Sequence, residues 1–321
     1  MKHPTVILHT NAPDEAVTIV AEQHPDLPLH GCDSYEALPG LIAGTGAEVI
    51  YSVRFQGGPG YPAAAALSPP VRWLSVGGSG VDHLGAWDPQ AVTVTNAAGV
   101  AADMMAEYAL GTALSFTLDL ARYRRDQAAR AWDPDAGVEP LEGKTCLILG
   151  LGKTGHAVAR RMKAMGLHVI GVRARPKPTA NCDEVHGMAA LPDLWARADV
   201  LVICVPLLPS TRGIVDGAAF AAMKPTAILV DVSRGGVIEE APLLEALQTG
   251  RIRGGARDVY AQEPLPPESP FWDLPNLILT PHSSAVYDGW AARSVRMFAE
   301  NLGRYRRGEP LSNIVDPTRG Y

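Results

Sequence analysis

Apolar residues along the first hundred positions fall into short runs, which are separated by stretches of helical character. The runs are rich in Val, Ile, Leu and Thr and have the length of strands, whereas the stretches between them suit helices. An alternation of strands and helices is typical of a layered α/β domain. Strands are predicted at 5–9, 48–53, 72–76 and 92–95, and short helices at 13–22 and 62–67.

The pattern changes after residue 100. From 101 to 130 the apolar positions keep helical spacing and end in basic residues, which predicts one long helix followed by a loop. A second series of strands and helices begins at Lys144, and its uniformly apolar strands are typical of a parallel sheet covered on both faces. The predicted strands are 145–150, 168–172, 198–205, 227–232, 254–259 and 277–280, and the predicted helices begin at Thr154 or span 218–223, 241–248 and 286–306.

Composition limits the class of protein. The 321 residues, 47% of them hydrophobic, suffice for two domains with separate cores. The formal net charge of −6 offers no basic field to a nucleic acid, so no nucleic-acid partner is expected. The four cysteines form no CxxC pair, and no metal site is predicted. Because the amino terminus lacks a leader-like stretch and no apolar run reaches the roughly 18 residues of a membrane span, we expect a cytoplasmic protein without membrane contact.

Three glycines lie between a predicted strand and a predicted helix, in the sequence LILGLGKTGHAV. Gly150 permits a tight turn, Gly152 leaves room for a pyrophosphate, and Gly155 lets helix and strand pack closely. The start of the helix, at Lys153 and Thr154, offers backbone N–H groups to phosphate oxygens. This arrangement predicts a dinucleotide site, and the alternative is an ordinary glycine turn.

The residues after the next strand indicate which nicotinamide cofactor fits. Sites for NAD usually carry an acidic residue about 20 positions past the glycines, where it holds the ribose hydroxyls. Here the strand ends in VIGVRARPK, with Arg173 in place of the acid and Arg175 and Lys177 after it. Arginine binds a 2′-phosphate through charge-assisted hydrogen bonds, so NADPH (NADP) is expected to be preferred by about ten- to a hundredfold, with NAD as the alternative cofactor. The other interpretation is that these cations are solvated surface residues.

Further motifs flank the glycines: VGGSGVDHL and VTNAAGV upstream, and DVSRGGVIEE and GGARDVYAQEPLPPESPFWDLPNLILTPHSSA downstream. With these motifs in this order, the sequence resembles the D-isomer-specific 2-hydroxyacid dehydrogenases, which include glyoxylate/hydroxypyruvate reductases. The resemblance implies an oxidoreductase that uses NAD(P)H to reduce a small 2-keto acid to the D-2-hydroxy acid. It also implies a homodimer with a Rossmann doubly wound dinucleotide-binding domain at 99–284 and a smaller flavodoxin-like α/β substrate-binding domain at 1–98 and 285–321.

Three residues are the predicted catalytic groups. Hydride transfer to a ketone builds negative charge on the carbonyl oxygen, so the site needs a proton donor and a cation that anchors the substrate carboxylate. His282 follows a predicted strand and matches the family's proton donor. Glu263 matches the family acid that pairs with this histidine. A carboxylate at this position stabilises the imidazolium form. Arg234 matches the arginine that binds the 2-keto acid, since its planar guanidinium suits a carboxylate bidentately.

The resemblance also predicts residues on the cofactor side of the site. Asp258 matches the family residue that binds the nicotinamide amide, and Ser284 is a further predicted cofactor-binding residue. Val205 and Pro206 are expected beside the cofactor ribose. Arg257 replaces the apolar residue that usually precedes the aspartate, and it would need a partner if it were buried.

Besides Arg234, the predicted substrate contacts lie in the first domain. Small residues after a strand leave backbone N–H groups available to a carboxylate, which makes Val76, Gly77 and Gly78 the predicted substrate-binding loop; a plain tight turn is the alternative. Arg54 is a further candidate for the distal end of the substrate, against the alternative of a surface cation. Trp132, which follows the long predicted helix, is a candidate for an interface with a second copy.

Two other functions stay open. Some relatives of this fold are dinucleotide-sensing corepressors that recruit proteins, and a compact chain without long tails disfavours that function. A phosphoglycerate dehydrogenase-like enzyme is the second alternative, although such enzymes normally keep the acid that Arg173 replaces. Formate oxidation is disfavoured by Glu263. Glyoxylate and hydroxypyruvate are the substrates expected from the resemblance.

Overall fold

The computed structural model describes residues 1–53, 60–134 and 137–317. The chain divides into two compact units, of which one comprises residues 1–100 and 287–321 and the other residues 101–286. Each unit contains one parallel β-sheet with helices packed on it. The predicted α/β fold class, with a Rossmann sheet and a smaller flavodoxin-like sheet, is confirmed.

The first unit has a five-stranded sheet in which the strands lie in the order 2-1-3-4-5. This is the strand order of flavodoxin-like folds. The sequence pattern does not predict the second strand, because its four residues LHGC form no apolar run and lie at the partly exposed edge of the sheet. The elements are β1 (Val6–His9), α1 (Pro13–Gln23), β2 (Leu29–Cys32), α2 (Ala37–Thr45), β3 (Val49–Ser52), α3 (Ala63–Ala66), β4 (Trp73–Val76) and β5 (Thr93–Asn96).

The second unit has a seven-stranded parallel sheet. Counted along the chain within this unit, its strands lie in the order 3-2-1-4-5-6-7, and the first six reproduce the Rossmann order. Its helices are α4 (Ala102–Thr117), α5 (Leu120–Ala129), α6 (Lys153–Ala164), α7 (Leu191–Leu194), α8 (Gly217–Ala222) and α9 (Glu240–Gln248). Its strands are β6 (Thr145–Leu149), β7 (His168–Val172), β8 (Glu184–His186), β9 (Val200–Ile203), β10 (Ile228–Asp231), β11 (Gly254–Arg257) and β12 (Leu277–Leu279).

The apolar strands of the second unit are buried on both faces. In β6, Leu147 and Leu149 pack into one hydrophobic cluster, whereas Cys146 and Ile148 pack into another. Successive side chains of a strand point to opposite faces of the sheet, so the two clusters cover opposite faces. This double coverage explains why the strand sequences lack the polar alternation of half-exposed strands.

The predicted helix over 101–130 is wrong in one respect, because the structure contains two helices there. The first, α4, ends at Thr117, and α5 begins at Leu120. Asp119 between them has a φ of 47°, in the left-handed region, and its side chain accepts a hydrogen bond from Arg122 N–H. Aspartate tolerates this conformation and caps helices, so it interrupts a run whose apolar spacing is otherwise continuous.

The last helix, α10 (Trp290–Arg307), belongs to the first unit and packs on α1. It begins four residues later than predicted. Near its end, Arg306 is buried and donates a hydrogen bond of 2.9 Å to Asp26 Oδ1, which attaches the helix to the segment after α1. In the described part of the chain, no helix combines the length and the apolar character that crossing a bilayer requires.

Candidate active site

His282 and Glu263 form a hydrogen-bonded pair at the carboxyl end of the second unit's sheet. His282 lies three residues beyond β12, and its Nδ1 is 2.8 Å from Glu263 Oε2. An ionised carboxylate accepts hydrogen bonds and donates none, so the imidazole donates from Nδ1. The His282 side chain is 45% exposed, and its second nitrogen, Nε2, is the atom left to serve a ligand.

The protonation state of Glu263 follows from its surroundings. Burial by itself would raise the pKa of this carboxyl group. Hydrogen bonds from His282 and from Tyr260 N–H, with the charges of His282 and Arg234, outweigh burial and hold the pKa below its usual value. Glu263 is therefore a carboxylate at neutral pH. It orients His282 by accepting the hydrogen bond from Nδ1.

Asp258 holds the segment that carries His282. Its Oδ1 accepts hydrogen bonds from Thr280 Oγ1 at 2.6 Å and from Ser283 N–H at 2.8 Å, and its Oδ2 accepts from Ser284 N–H at 3.0 Å. The backbone N–H of His282 donates to the Asp258 carbonyl oxygen at 2.9 Å. Asp258 is 2% exposed, so these bonds form away from competing water. Asp258 and Ser284 thus lie next to His282, and the three donors described for the Asp258 carboxylate all come from the chain itself.

Arg234 lies in the loop after β10, and its Nη1 donates to the Ser233 carbonyl oxygen at 2.7 Å. Its charge is close enough to lower the pKa of Glu263. The following residue fixes the loop, because a Cβ on Gly235 would lie 1.8 Å from the Tyr260 carbonyl oxygen. Only glycine permits this approach of the Arg234 loop to the segment that carries Glu263. The structure therefore brings the three predicted catalytic residues to one edge of one sheet.

The glycine turn joins β6 to α6. Gly150 has a φ of 102°, and a Cβ on Gly155 would lie 1.9 Å from the Gly150 carbonyl oxygen, so the turn and its packing both require glycine. A Cβ on Gly152, in contrast, would meet nothing within 4 Å. The space before the start of α6 is therefore open, and the first N–H groups of the helix, at Lys153 and Thr154, have no acceptor within the helix. This geometry suits a phosphate group.

The residues predicted to surround the cofactor ribose lie next to this turn. Val205 is 7% exposed, and its Cγ1 would lie 2.9 Å from a Cβ built on Gly150. The carbonyl oxygen of Pro206 accepts a hydrogen bond from Thr211 Oγ1 at 2.6 Å, which fixes the loop after β9. Val205 therefore borders the glycine turn, and Pro206 is the next residue of the same loop.

Three cations follow β7. Arg173 is half-buried, and its backbone N–H donates to the His186 carbonyl oxygen at 3.0 Å. Arg175 and Lys177 are exposed. Within residues 1–53, 60–134 and 137–317, the side chains of these three cations make no hydrogen bond or ion pair. Other cations of this unit are paired, as in the contact of 2.6 Å between Lys163 and Asp183.

The predicted substrate loop differs from the expectation in one respect. Val76 ends β4, and the N–H of Gly77 donates to the Ser52 carbonyl oxygen at 2.8 Å, so this N–H is not available to a ligand. A Cβ on Gly77 would lie 2.6 Å from Tyr51 Oη, which explains the small residue by packing. Gly78 N–H makes no hydrogen bond to a described residue. The available donor of this loop is therefore Gly78.

Other predicted residues have different outcomes. Arg54 lies outside the described residues. Trp132 is 95% exposed, and its place at an interface stays a prediction. Arg257 is fully buried, and the partner that a buried arginine needs is Glu240. Glu240 was missed because no local pattern connects residues that are 17 positions apart.

Among the described residues, no cluster of three or more His, Cys, Asp or Glu side chains is arranged to hold a metal ion.

A Rossmann-type sheet with a glycine turn before its first helix is the architecture of dinucleotide-binding domains. Residues 110–284 match the family model of the D-isomer specific 2-hydroxyacid dehydrogenase NAD binding domain. The chain belongs to the D-isomer specific 2-hydroxyacid dehydrogenase family, and the family predicted from the sequence is confirmed.

Solved structures and curated proteins give the same family. A D-isomer specific 2-hydroxyacid dehydrogenase family protein from Aeromonas salmonicida is 32% identical with a TM-score of 0.86, over 98% of this chain and 100% of that chain. An NADPH-dependent glyoxylate/hydroxypyruvate reductase from Sinorhizobium meliloti, solved with NADP and sulfate, is 28% identical with a TM-score of 0.82, over 99% and 100% of the two chains. D-3-phosphoglycerate dehydrogenase from Methanocaldococcus jannaschii is 35% identical over 77% of this chain and 48% of that protein, so this chain spans about half of its length.

Proposed function

We propose that the chain catalyses the NADPH-dependent reduction of a small 2-keto acid, of the glyoxylate or hydroxypyruvate type, to the D-2-hydroxy acid. The observation that carries this proposal is the hydrogen bond of 2.8 Å between His282 Nδ1 and Glu263 Oε2, with the Arg234 charge acting on the same carboxylate. A proton donor, its acidic partner and a carboxylate-binding cation are the groups that this reduction requires.

Each residue has a defined task in the proposed reaction. Glu263 accepts the hydrogen bond from Nδ1–H, fixes the orientation of the ring and stabilises the protonated imidazole. His282 then transfers a proton from Nε2 to the carbonyl oxygen of the substrate. Arg234 binds the substrate carboxylate with two parallel N–H bonds. Bound NADPH supplies the hydride. A proton released to the carbonyl oxygen neutralises the charge that builds there, which lowers the barrier.

The preference for NADPH is supported by the cations after β7. Arg173 and Arg175 have no side-chain partner among the described residues, and they lie beyond the strand that follows the glycine turn. In Rossmann sheets this position faces the ribose 2′ group. The open space at Gly152 has room for the pyrophosphate of the same cofactor. The relative from Sinorhizobium meliloti, solved with NADP, agrees with this assignment.

Association of two copies is part of the same proposal. The helix α5 has no buried residue, and Trp132 after it is 95% exposed. A helix gains most of its stability from packing an apolar face, so a helix without buried residues in a single chain is suited to pack on another copy.

Oxidation of 3-phosphoglycerate is the second candidate function. It is favoured by the 35% identity to the phosphoglycerate dehydrogenase of Methanocaldococcus jannaschii. The absence of an acid at Arg173 argues against the NAD that such enzymes normally use, so the reductase remains our proposal.

The test follows the nicotinamide absorbance of NADPH, then of NADH, with glyoxylate, hydroxypyruvate, pyruvate and phenylpyruvate. We expect turnover with glyoxylate or hydroxypyruvate, and kcat/KM about ten- to a hundredfold higher for NADPH than for NADH. A parallel assay with NAD and 3-phosphoglycerate tests the second candidate. Cofactor binding without turnover in any combination would contradict both enzymes and favour a dinucleotide-sensing protein.

A further inference from the structure

The last residue of β11, Arg257, has a fully buried side chain. Its guanidinium donates one side-chain hydrogen bond, from Nη2 to Glu240 Oε1 at 2.9 Å. Among the described residues, its Nε and Nη1 have no hydrogen-bond partner. Burial of a guanidinium is strongly unfavourable unless hydrogen bonds and opposite charges offset it. An apolar side chain would fill the same space at lower cost, so the arginine is expected to hold other groups in place.

Two aromatic rings flank the guanidinium. Arg257 Cζ lies 5.0 Å from the ring centroid of Tyr260 and 4.9 Å from that of Phe271. Attraction between a cation and the face of a ring offsets part of the cost of burial. The Tyr260 hydroxyl also donates to the Arg257 carbonyl oxygen at 2.8 Å. Arg257 therefore fixes Tyr260 through its side chain and through its backbone.

Glu240, the first residue of α9, connects Arg257 to the same segment. Its Oε1 accepts the hydrogen bond from Arg257 Nη2 and a second one, at 3.1 Å, from the backbone N–H of Ala261. One carboxylate oxygen thus ties together the end of β11, the start of α9 and the residue after Tyr260. Hydrogen bonds to a carboxylate are stronger than those to a neutral acceptor, and the contact with the arginine is charge-assisted on both sides.

The segment held in this way carries Glu263. Tyr260 N–H donates to Glu263 Oε1 at 3.0 Å, and Glu263 Oε2 accepts from His282 Nδ1 at 2.8 Å. A shift of Tyr260 or Ala261 would turn the Glu263 carboxylate away from the imidazole. The contacts therefore run without a gap from the buried arginine to the proposed proton donor.

We propose that Arg257 and Glu240 are positioning residues that hold the Glu263 carboxylate against His282. Both act through Glu263, since the contacts described for them end on the chain's own groups. The kinetic consequence rests on the proposed function, whereas the effect on the imidazole of His282 does not. In metal sites, replacement of residues that orient the ligands commonly lowers activity by about ten- to a hundredfold, and an effect at the lower end of that range is expected here.

The kinetic test compares four variants. Glu240→Ala removes both hydrogen bonds, Glu240→Gln keeps an uncharged acceptor for Ala261 N–H, and Arg257→Leu replaces the cation by an apolar side chain. Glu245→Ala is the matched control, because Glu245 is an exposed glutamate on the same helix. We expect Glu240→Ala to lower kcat about tenfold, with KM for NADPH within about twofold of the wild-type value. The kcat of Glu240→Gln should lie between those of Glu240→Ala and the wild type. The kcat of Glu245→Ala should match that of the wild type. The alkaline limb of the kcat profile should move to lower pH in Glu240→Ala.

The second readout needs no turnover. The ring protons of His282, assigned by their loss in His282→Ala, are titrated by NMR in the protein without substrate. We expect the midpoint to fall by about 0.5 pH unit in Glu240→Ala, because the carboxylate no longer stabilises the protonated ring as well. A shifted midpoint in a protein without turnover would support the positioning inference and contradict the proposed function. An unchanged midpoint and an unchanged pH profile in folded Glu240→Ala would overturn the inference. Glu240→Ala provides this test even where Arg257→Leu does not fold.

Discussion

The carboxyl edge of the larger sheet carries two groups of charged residues that are built in opposite ways. Beyond β11 and β12, His282, Glu263 and Asp258 are tied to the chain by hydrogen bonds between 2.6 and 3.0 Å. Beyond β7, Arg173 and Arg175 make no side-chain contact of this kind with a described residue. The same edge therefore combines a fixed cluster with a set of cations that lack a partner.

The fixed cluster and the cations are suited to different tasks. Proton transfer requires a donor that is oriented before the substrate arrives, because reorganisation at the moment of reaction adds to the barrier. Binding of a phosphate requires charge and donors, and the ligand itself completes their hydrogen bonds. On this basis, changes in the fixed cluster should lower turnover, and changes in the unpaired cations should alter the choice of cofactor.

Removal of the imidazole should have the largest effect. His282→Ala is expected to lower kcat by about a hundredfold to ten-thousandfold, the range that general acid catalysis commonly supplies, while the dissociation constant for NADPH stays within about twofold. Steady-state kinetics and a fluorescence titration measure the two quantities. His30→Ala, which changes a partly exposed histidine in the other unit, is the control. Full turnover in His282→Ala would remove this residue from the proposed mechanism.

Removal of an unpaired cation should have an intermediate effect, confined to the cofactor. Arg173→Ala is expected to reduce the ratio of kcat/KM for NADPH to that for NADH by about ten- to a hundredfold, since one charge-assisted contact with a 2′-phosphate is lost. Arg160→Ala is the matched control, because Arg160 lies in the same unit and is paired with Asp103 at 2.7 Å.

The cofactor experiment also separates binding from a general field. If Arg173 makes a specific contact, its removal should reduce the affinity for NADPH alone. This loss of affinity should be smaller at high salt, where charges are screened. An equal loss for NADPH and NADH, or the same loss in Arg160→Ala, would show that Arg173 acts only as surface charge.

The sequence predicted the sheet because its strands carry the information locally. The apolar run of β6 indicates a strand buried on both faces, and the structure places its residues in two clusters. Two edge strands, β2 and β8, were not predicted, because their sequences LHGC and EVH contain no apolar run. The break at Asp119 escaped for another reason, since one residue in the left-handed region leaves the apolar spacing on both sides intact.

The candidate site shows the same division. Motif spacing was sufficient to single out His282, Glu263 and Arg234, which the structure brings to one edge of the sheet. Their support was not predictable, because Glu240 and Thr280 meet Arg257 and Asp258 only after the strands are assembled. Such contacts depend on tertiary packing, for which a single sequence contains no local signal.

Asp231 belongs to neither group, and the effect expected from it is the smallest. It is buried at the end of β10, and its Oδ2 has no hydrogen-bond partner among the described residues. Burial raises the pKa of Asp231 to about 6, although the hydrogen bond from Ser233 and the charge of Arg257 lower it in part. The carboxyl group of an unfolded chain has a pKa of about 3.9, so between about pH 4 and pH 6 the folded protein holds a proton that the unfolded chain has released. Stability from this group is therefore lost as the pH rises through this window.

Asp231→Asn tests this sign. Asparagine keeps an acceptor for Ser233 and does not titrate, so the free energy of unfolding of the wild type should fall by about 1 kcal/mol more than that of the variant between pH 5 and pH 7. Urea unfolding at the two pH values measures the difference, and Asp193→Asn, at an exposed aspartate, is the control. An equal pH dependence in wild type and variant would mean that the protonation of Asp231 does not change between pH 5 and pH 7. If the carboxyl group is then ionised at both values, the charge of Arg257 offsets its burial, and the fixed cluster extends to β10.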